Sequence, residues 1–410
     1  MINYKDIKRL DLETSSLCNA ECRVCSRRRD GGIKNQTFTE TYITIKQVKE
    51  WFSEDFIENL GLITMCGNYG DSMTNPDLIP ILKHFRSINP NLTFRMNTNA
   101  SGRDATFWRE LGEIFSVNDS TVIFSVDGLE DTNWIYRKGT HWDKIILAME
   151  TYISTGANSH WEFLVFRHNE HQIEEARKLA KDMGVTEFQA KEALGFSNNK
   201  DKDNNIIQSM KVYGKKGEYQ YTIMPPTKRV YDNVKDFNKK NIEMVMPKKI
   251  LSNSEKVGYI SDIKSDLEKS YINSELTEDK KAFFQSFERT NHIGKIDREL
   301  TKQEVRLGKC DIDCSAIKNS HIFVNSYGLV FPCCWHAKQY DDEFNNDWET
   351  IAPLVNFIKS FGEDTISLKH KSIKEIIDGE IYTSGYLETF KDRDIRNKRL
   401  KSCSVLCGAL

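Results

Sequence analysis

Six short β-prone runs alternate with amphipathic helical stretches between residues 8 and 191, and this alternation constrains the fold more than any other feature of the chain. The runs fall at 8–14, 62–65, 92–96, 121–126, 161–166 and 188–191. Between them, apolar residues recur at helical spacing. Thr44 is an N-cap ahead of Ile45, Val48, Trp51, Phe52 and Phe56, and Pro76 opens a helix bearing Leu78, Ile79, Leu82 and Phe85. Further helices are expected through Phe107, Leu111 and Phe115, over 142–152, and through Ile173, Ala176 and Leu179. Six strand–helix units with short connections predict a parallel sheet with right-handed crossovers. Six units suit an open, partial (β/α)6 barrel of the TIM type better than the closed eight-unit form.

In such sheets chemistry gathers at the C-terminal ends of the strands, and the unusual polar sequences of this chain fall there. The first run leads into Cys18-Asn-Ala-Glu-Cys22-Arg-Val-Cys25, three thiols in a C-x3-C-x2-C loop. So short a loop can wrap one centre. Zinc would normally want a fourth protein ligand close by, whereas an iron–sulfur cluster held by three cysteines keeps one iron open to an outside ligand. The second run ends in Gly67-Asn68-Tyr69-Gly70-Asp71-Ser72, and the third in Asn97, Asn99 and Ser101. The fourth ends in Ser125 and Asp127, and the fifth in 166–171, with His168, Asn169 and His171. Glycines at 67 and 70 also suit a tight turn, and the Asn and Asp residues also suit helix caps. The histidines equally suit surface or helix-start positions. Arg27-Arg28-Arg29 reads either as a solvated loop or as a positive field beside the thiols.

Cysteine loop and strand ends together resemble the radical S-adenosylmethionine (SAM) superfamily, over roughly the first half of the chain. The resemblance implies a 4Fe–4S cluster on Cys18, Cys22 and Cys25, with SAM on the open iron as the source of a 5′-deoxyadenosyl radical. It implies a SAM amino-group site at Gly67, Asn68, Gly70 and Asp71, in a turn where a Glu and a Pro are commoner than Asp71 and Ser72. It further implies SAM ribose and carboxylate contacts from Asn97, Asn99, Ser125 and Asp127. By the same resemblance Asn169 would contact SAM, and the backbone near Leu164 and Val165 would flank its adenine. One departure is Val24, where the family usually has an aromatic residue before the third cysteine.

The remaining cysteines extend the same theme. Of ten in the chain, six lie at 310, 314, 333, 334, 403 and 407, and Cys66 stands apart as a packed thiol. In a reducing compartment such groups read as metal ligation rather than a disulfide framework. Residues 320–332 read as a hairpin turning at Gly328, which brings Cys314 and Cys333 to its two ends, and Cys403-x3-Cys407 can close the site. This stretch resembles the SPASM and twitch domains appended to radical SAM enzymes, which implies one auxiliary 4Fe–4S cluster. Cys314, Cys333, Cys403 and Cys407 are the preferred ligands; Cys310 and Cys334 remain alternatives, and four thiolates also suit structural zinc.

With 410 residues the chain is long enough for two or three domains. The expected division is a barrel at 1–196, a charge-rich connector or lid at 197–308 and the auxiliary-cluster domain at 309–410. The connector is read as the polar loop 198–205, a hairpin turning at 214–217 and a helix at 280–287, with Pro225, Pro226 and Pro247 as breaks. Residues 341–396 read as mostly helical. The balance of 58 Lys and Arg against 60 Asp and Glu gives no basic face, so neither nucleic acid nor membrane is expected as a partner. With no apolar run of membrane length and no signal-peptide pattern, a cytoplasmic setting is expected. The functional expectation is an oxidoreductase-type radical SAM enzyme acting on a small polyol- or sugar-like molecule or a peptide. It would draw electrons from a flavodoxin- or ferredoxin-like donor. The competing reading is a non-catalytic iron–sulfur electron carrier or zinc-binding protein.

Overall fold

The computed structural model describes residues 2–35, 39–66, 68–193, 195–200, 206–227, 302–341, 348–395, 399–400, 403–404 and 407–409. Gly67 and residues 228–301, with the helix expected at 280–287 and Pro247, lie outside them, as do 201–205, 342–347 and 396.

The six expected strands form in order: β1 (Arg9–Leu12), β4 (Leu62–Met65), β5 (Thr93–Thr98), β6 (Thr121–Ser125), β7 (Asn158–Val165) and β8 (Glu187–Glu192). Two-residue strands β2 (Arg28–Arg29) and β3 (Ile33–Lys34) pair in the loop after β1. All six long strands are parallel neighbours in one sheet, an open partial barrel. The connections carry α1 (Ile45–Trp51), α2 (Glu54–Asn59), α3 (Leu78–Ile88), α4 (Ala105–Phe115), α5 (Asn133–Tyr136), α6 (Trp142–Ile153) and α7 (Ile173–Met183). Local chemistry sets their ends. Thr44 and Gln47 form a reciprocal capping box on α1, Asp104 accepts from Phe107 N at 2.9 Å on α4, and Gly184 closes α7 at a φ of 81°.

Strand register sorts the side chains into two faces. On β7 burial alternates strictly, with Ser159, Trp161, Phe163 and Val165 buried and His160, Glu162 and Leu164 half-buried between them. The buried face, including Phe94, Phe124 and Trp161, packs with helix residues such as Phe85, Trp108 and Tyr152 in one core. Each such side chain removed from water contributes about 1.5–3 kcal/mol. The opposite face turns into the barrel and is mostly polar, with Ile123 and Leu164 among Asn97, Ser125, Glu162 and Gln189: Asn97 pairs in register with Ile123, Ser125 with Glu162, and Glu162 with Gln189.

Two features differ from the expectation. After β8 the described chain does not continue into a further helix. It enters a three-stranded antiparallel sheet of β9 (Ser197–Lys200), β10 (Ile206–Tyr213) and β11 (Tyr219–Ile223). The turn at 214–217 is where the sequence places it, but residues 198–200, read as loop, pair with β10. Backbone pairing needs no apolar side chain, so the polar composition of 198–200 hid the strand.

The expected C-terminal hairpin, β13 (His321–Val324) and β14 (Val330–Phe331), joins the barrel itself. β13 lies parallel to β1, with Leu10 opposite Ile322, and the sheet runs β14-β13-β1-β4-β5-β6-β7-β8. Two short strands, β12 (Asp311–Ile312) and β15 (Gly408–Ala409), pair to bring the chain's tail back. Among the described residues no helix is long and apolar enough to cross a membrane.

Candidate active site

The three-cysteine loop leaves β1 and lies across the C-terminal ends of its neighbours. Arg27, only 5% exposed, is its internal strut: its guanidinium donates to the carbonyls of Cys18 at 3.0 Å and Ala20 at 3.5 Å and pairs with Glu40 at 2.7 Å. Arg28 pairs with Glu21 at 3.0 Å and donates to the Gly32 carbonyl. The positive field read into this run therefore does not form from Arg27 and Arg28, whose charges hold the loop's own shape.

Two neighbouring strands grip the loop from below. At the end of β5, Asn99 Nδ2 reaches Cys18 Sγ at 3.5 Å and Asn19 Oδ1 at 3.0 Å. Beyond β6, Arg137 reaches Cys22 Sγ at 3.8 Å while its Nε donates to Asp127 at 2.5 Å, and Glu21 N donates to the Lys138 carbonyl at 2.7 Å. Burial pushes the Cys18 thiol up and the Cys22 thiol up to about 11, Arg137 opposing the shift at Cys22. Cys25 N donates to the Cys22 carbonyl at 3.1 Å, which keeps the third thiol in the same turn.

The strand-end residues divide into frame and lining. Asp71, 5% exposed, accepts from Met73 N at 3.1 Å, Thr98 Oγ1 at 3.1 Å and Asn99 N at 2.7 Å, joining the β4 and β5 loops. Asp127 accepts from Leu164 N at 2.7 Å as well as from Arg137. Burial raises both carboxyls, against the opposing pull of these donors. Asn169 is fully buried: it donates to the carbonyls of Asp127 at 2.8 Å and Leu164 at 2.9 Å and accepts from Phe166 N at 2.7 Å. Asn68 donates to the Cys334 carbonyl at 3.0 Å. Gly70 runs so close to β1's exit that a Cβ would stand 1.8 Å from the Ser15 carbonyl oxygen, a contact that only glycine allows. Asn97 and Ser125, by contrast, make no side-chain hydrogen bond to another described residue and face the barrel interior. Ser101 accepts from His141 N at 2.6 Å. His171 is exposed, and His168 stacks on Phe166 with ring centroids 5.2 Å apart.

The second cysteine group is drawn together by the hairpin and the tail. Cys314, Cys333, Cys403 and Cys407 line one pocket with His336, Tyr382 and Tyr386. Asp313 N donates to the Cys407 carbonyl at 2.7 Å, which seats the returning tail beside Cys314. Cys310 stays outside that lining, its Sγ 3.0 Å from the Leu307 carbonyl and 3.3 Å from Arg399. Cys334 also stays outside and sits among Cys66 and Asp11. Among the described residues no three His, Cys, Asp or Glu side chains close up far enough to hold a single metal ion. Sequence reading marked Arg27 as solvated or as part of a positive field rather than as a strut, and it missed Arg137 and the pocket's His336 and two tyrosines. Only their proximity to cysteine in space marks them.

The radical SAM superfamily model matches residues 12–180, the stretch from the end of β1 into α7. The chain therefore carries a radical SAM domain across those residues, and that family uses a 4Fe–4S cluster and SAM. No curated protein matches the sequence. Among solved structures, Streptococcus suis SuiB bound to S-adenosylmethionine is similar at 14% identity and a TM-score of 0.42, over 97% of this chain and 77% of that one. Native anSMEcpe with bound AdoMet is similar at 15% identity and a TM-score of 0.44, over 94% and 82%. BtrN in complex with AdoMet and 2-DOIA gives 16% identity and a TM-score of 0.24, over 29% and 45%.

Proposed function

We propose that this chain is a radical SAM enzyme whose reaction centre lies under the loop of Cys18, Cys22 and Cys25. The observation that supports this most is the loop's position, held over β5 and β6 by Asn99 and Arg137. The donor set fits the group: three half-buried thiols in one turn, one of them beside a guanidinium, suit an anionic cluster with one iron left open. Bound there, a 4Fe–4S cluster and SAM supply reductive cleavage of SAM and removal of a hydrogen atom from a substrate carbon.

The chain's own residues hold, orient and exclude water. Asn97 and Ser125 are polar side chains free to meet SAM, with Asn68, Gly70 and the Leu164 backbone around them. Asp71, Asn99, Asp127 and Asn169 set the positions of those loops. Below them the barrel interior carries Arg95, His160, Glu162, Gln189 and Lys191 on the face opposite the apolar core. A lining of both charges supports a hydrophilic substrate, a small polyol- or sugar-like molecule or a polar part of a peptide. Cys314, Cys333, Cys403 and Cys407 would hold an auxiliary 4Fe–4S cluster, which suits net oxidation of the substrate. A flavodoxin- or ferredoxin-like donor in the cytoplasm would supply the first electron.

The test is anaerobic reconstitution followed by iron and sulfide counts and assay of 5′-deoxyadenosine from SAM with a reductant. The expected result is about eight irons, with product that disappears in Cys22→Ala while the iron of the second site is retained. Zinc at both sites with no product would overturn the reading and leave the zinc-binding scaffold in its place.

A further inference from the structure

Two hydroxyls in the four-cysteine pocket, those of Tyr382 and Tyr386, are buried with no hydrogen-bond partner among the described residues. Leaving a buried polar group unsatisfied costs about 1–3 kcal/mol, so two in one cavity indicate an acceptor that belongs there. Tyr382 lies in a π-helix, Ile381–Gly385, a geometry frequent at functional sites, Tyr386 opens the α-helix that follows it directly, and the two rings meet edge to face at 5.7 Å. A third donor stands beside them. His336, 3% exposed, places Nε2 3.1 Å from Cys403 Sγ and stacks on Tyr386 with centroids 5.6 Å apart. Its Nδ1 has no partner among the described residues, which assigns the proton to Nε2, where an acceptor is in reach.

We propose that His336, Tyr382 and Tyr386 donate hydrogen bonds to the sulfurs of the auxiliary cluster and thereby raise its reduction potential. This rests on the reading of that pocket as a cluster site. Reduction adds one negative charge to an already anionic four-thiolate centre, so donors aimed at sulfur stabilise the reduced form more. The rest of the lining opposes them. Ile2, Ala316, Ile317, Pro332 and Phe390 are apolar, and among the described residues no Lys or Arg lines the pocket. In that low-polarity shell an added negative charge is penalised, so the three neutral donors set how readily the centre takes an electron.

The test uses the full chain with Cys18, Cys22 and Cys25 each changed to Ala, so that only one cluster can load. Redox titration by EPR then compares this parent with Tyr382→Phe, Tyr386→Phe, His336→Leu and His336→Gln. At the potential where half of the parent is reduced, each donor-deleting variant should show a ratio of reduced to oxidised cluster about fivefold lower, the equivalent of losing one modest hydrogen bond. His336→Gln keeps an amide donor and should stay within about twofold of the parent. Because Tyr→Phe removes only a hydroxyl, these variants keep the packing. Loaded cluster with an unchanged ratio in all three deletions overturns the inference alone and leaves the cluster reading intact. Zinc, or no metal, in the parent overturns both.

Discussion

Arg27 and Arg137 show how a charged residue is turned to structural use. Arg27 sits in a run of three arginines, a pattern that reads as solvent-facing, yet its guanidinium is spent on loop carbonyls and Glu40. Arg137 has no sequence neighbour to mark it, and its partners are Asp127, ten residues earlier in the same β6–β7 connection, and Cys22 in the loop after β1. His168 gives a prediction at the same scale. Burial against Phe166 pushes its pKa from the ordinary 6.5 down to about 4. Between those values the unfolded chain holds more protons, so this contribution to stability is complete above 6.5 and is lost as the pH falls toward 4. In denaturant titrations across that range, His168→Gln should lose stability less steeply on acidification than the parent. Parallel slopes would show that the ring is not buried as described.

At the scale of elements, the strand ends are tied to one another before any cofactor enters. Asn169 joins the ends of β6 and β7 through three hydrogen bonds to backbone, two of them fully buried. Asn169→Ala should lower stability by about 2–4 kcal/mol, three bonds at the usual net value plus the carbonyls left unmatched. A thermal melt without SAM reads this directly. A residue that served SAM alone would leave the melt unchanged and alter only SAM binding. Asp71 plays the matching part between β4 and β5. The sequence placed both residues correctly at strand ends but could not show that neighbouring backbone occupies their polar atoms.

For the whole molecule, the C-terminal hairpin is decisive. β13 covers the β1 edge over Arg9–Leu12, and Ile322, Phe323 and Val324 share the core of the barrel. Asn68 and Tyr69 add hydrogen bonds to the carbonyls of Cys334 and Lys338, at 3.0 and 2.8 Å. A chain cut after Thr227 should thus expose a paired strand edge and part of the core, and should aggregate or lose cooperative unfolding. Size-exclusion chromatography and hydrogen exchange at β1 would check this. A monomeric truncation with protected β1 amides would show that the first 227 residues stand alone.

The sequence by itself determined the six parallel strands and the cysteine loop at their C-terminal ends, and it preferred Cys314, Cys333, Cys403 and Cys407 as a second group while leaving Cys310 and Cys334 open. Strand alternation, helix caps and short cysteine spacings are local, and local patterns are written in adjacent residues. Only the tertiary structure decided that the hairpin completes the barrel sheet, that 198–200 pairs as a strand, and that Asn97 and Ser125 stay open while Asp71, Asp127 and Asn169 are occupied. It alone gathered His336, Tyr382 and Tyr386 at the second cysteine group. Those outcomes depend on which distant backbone groups arrive at the same place, and no single stretch of sequence carries that information.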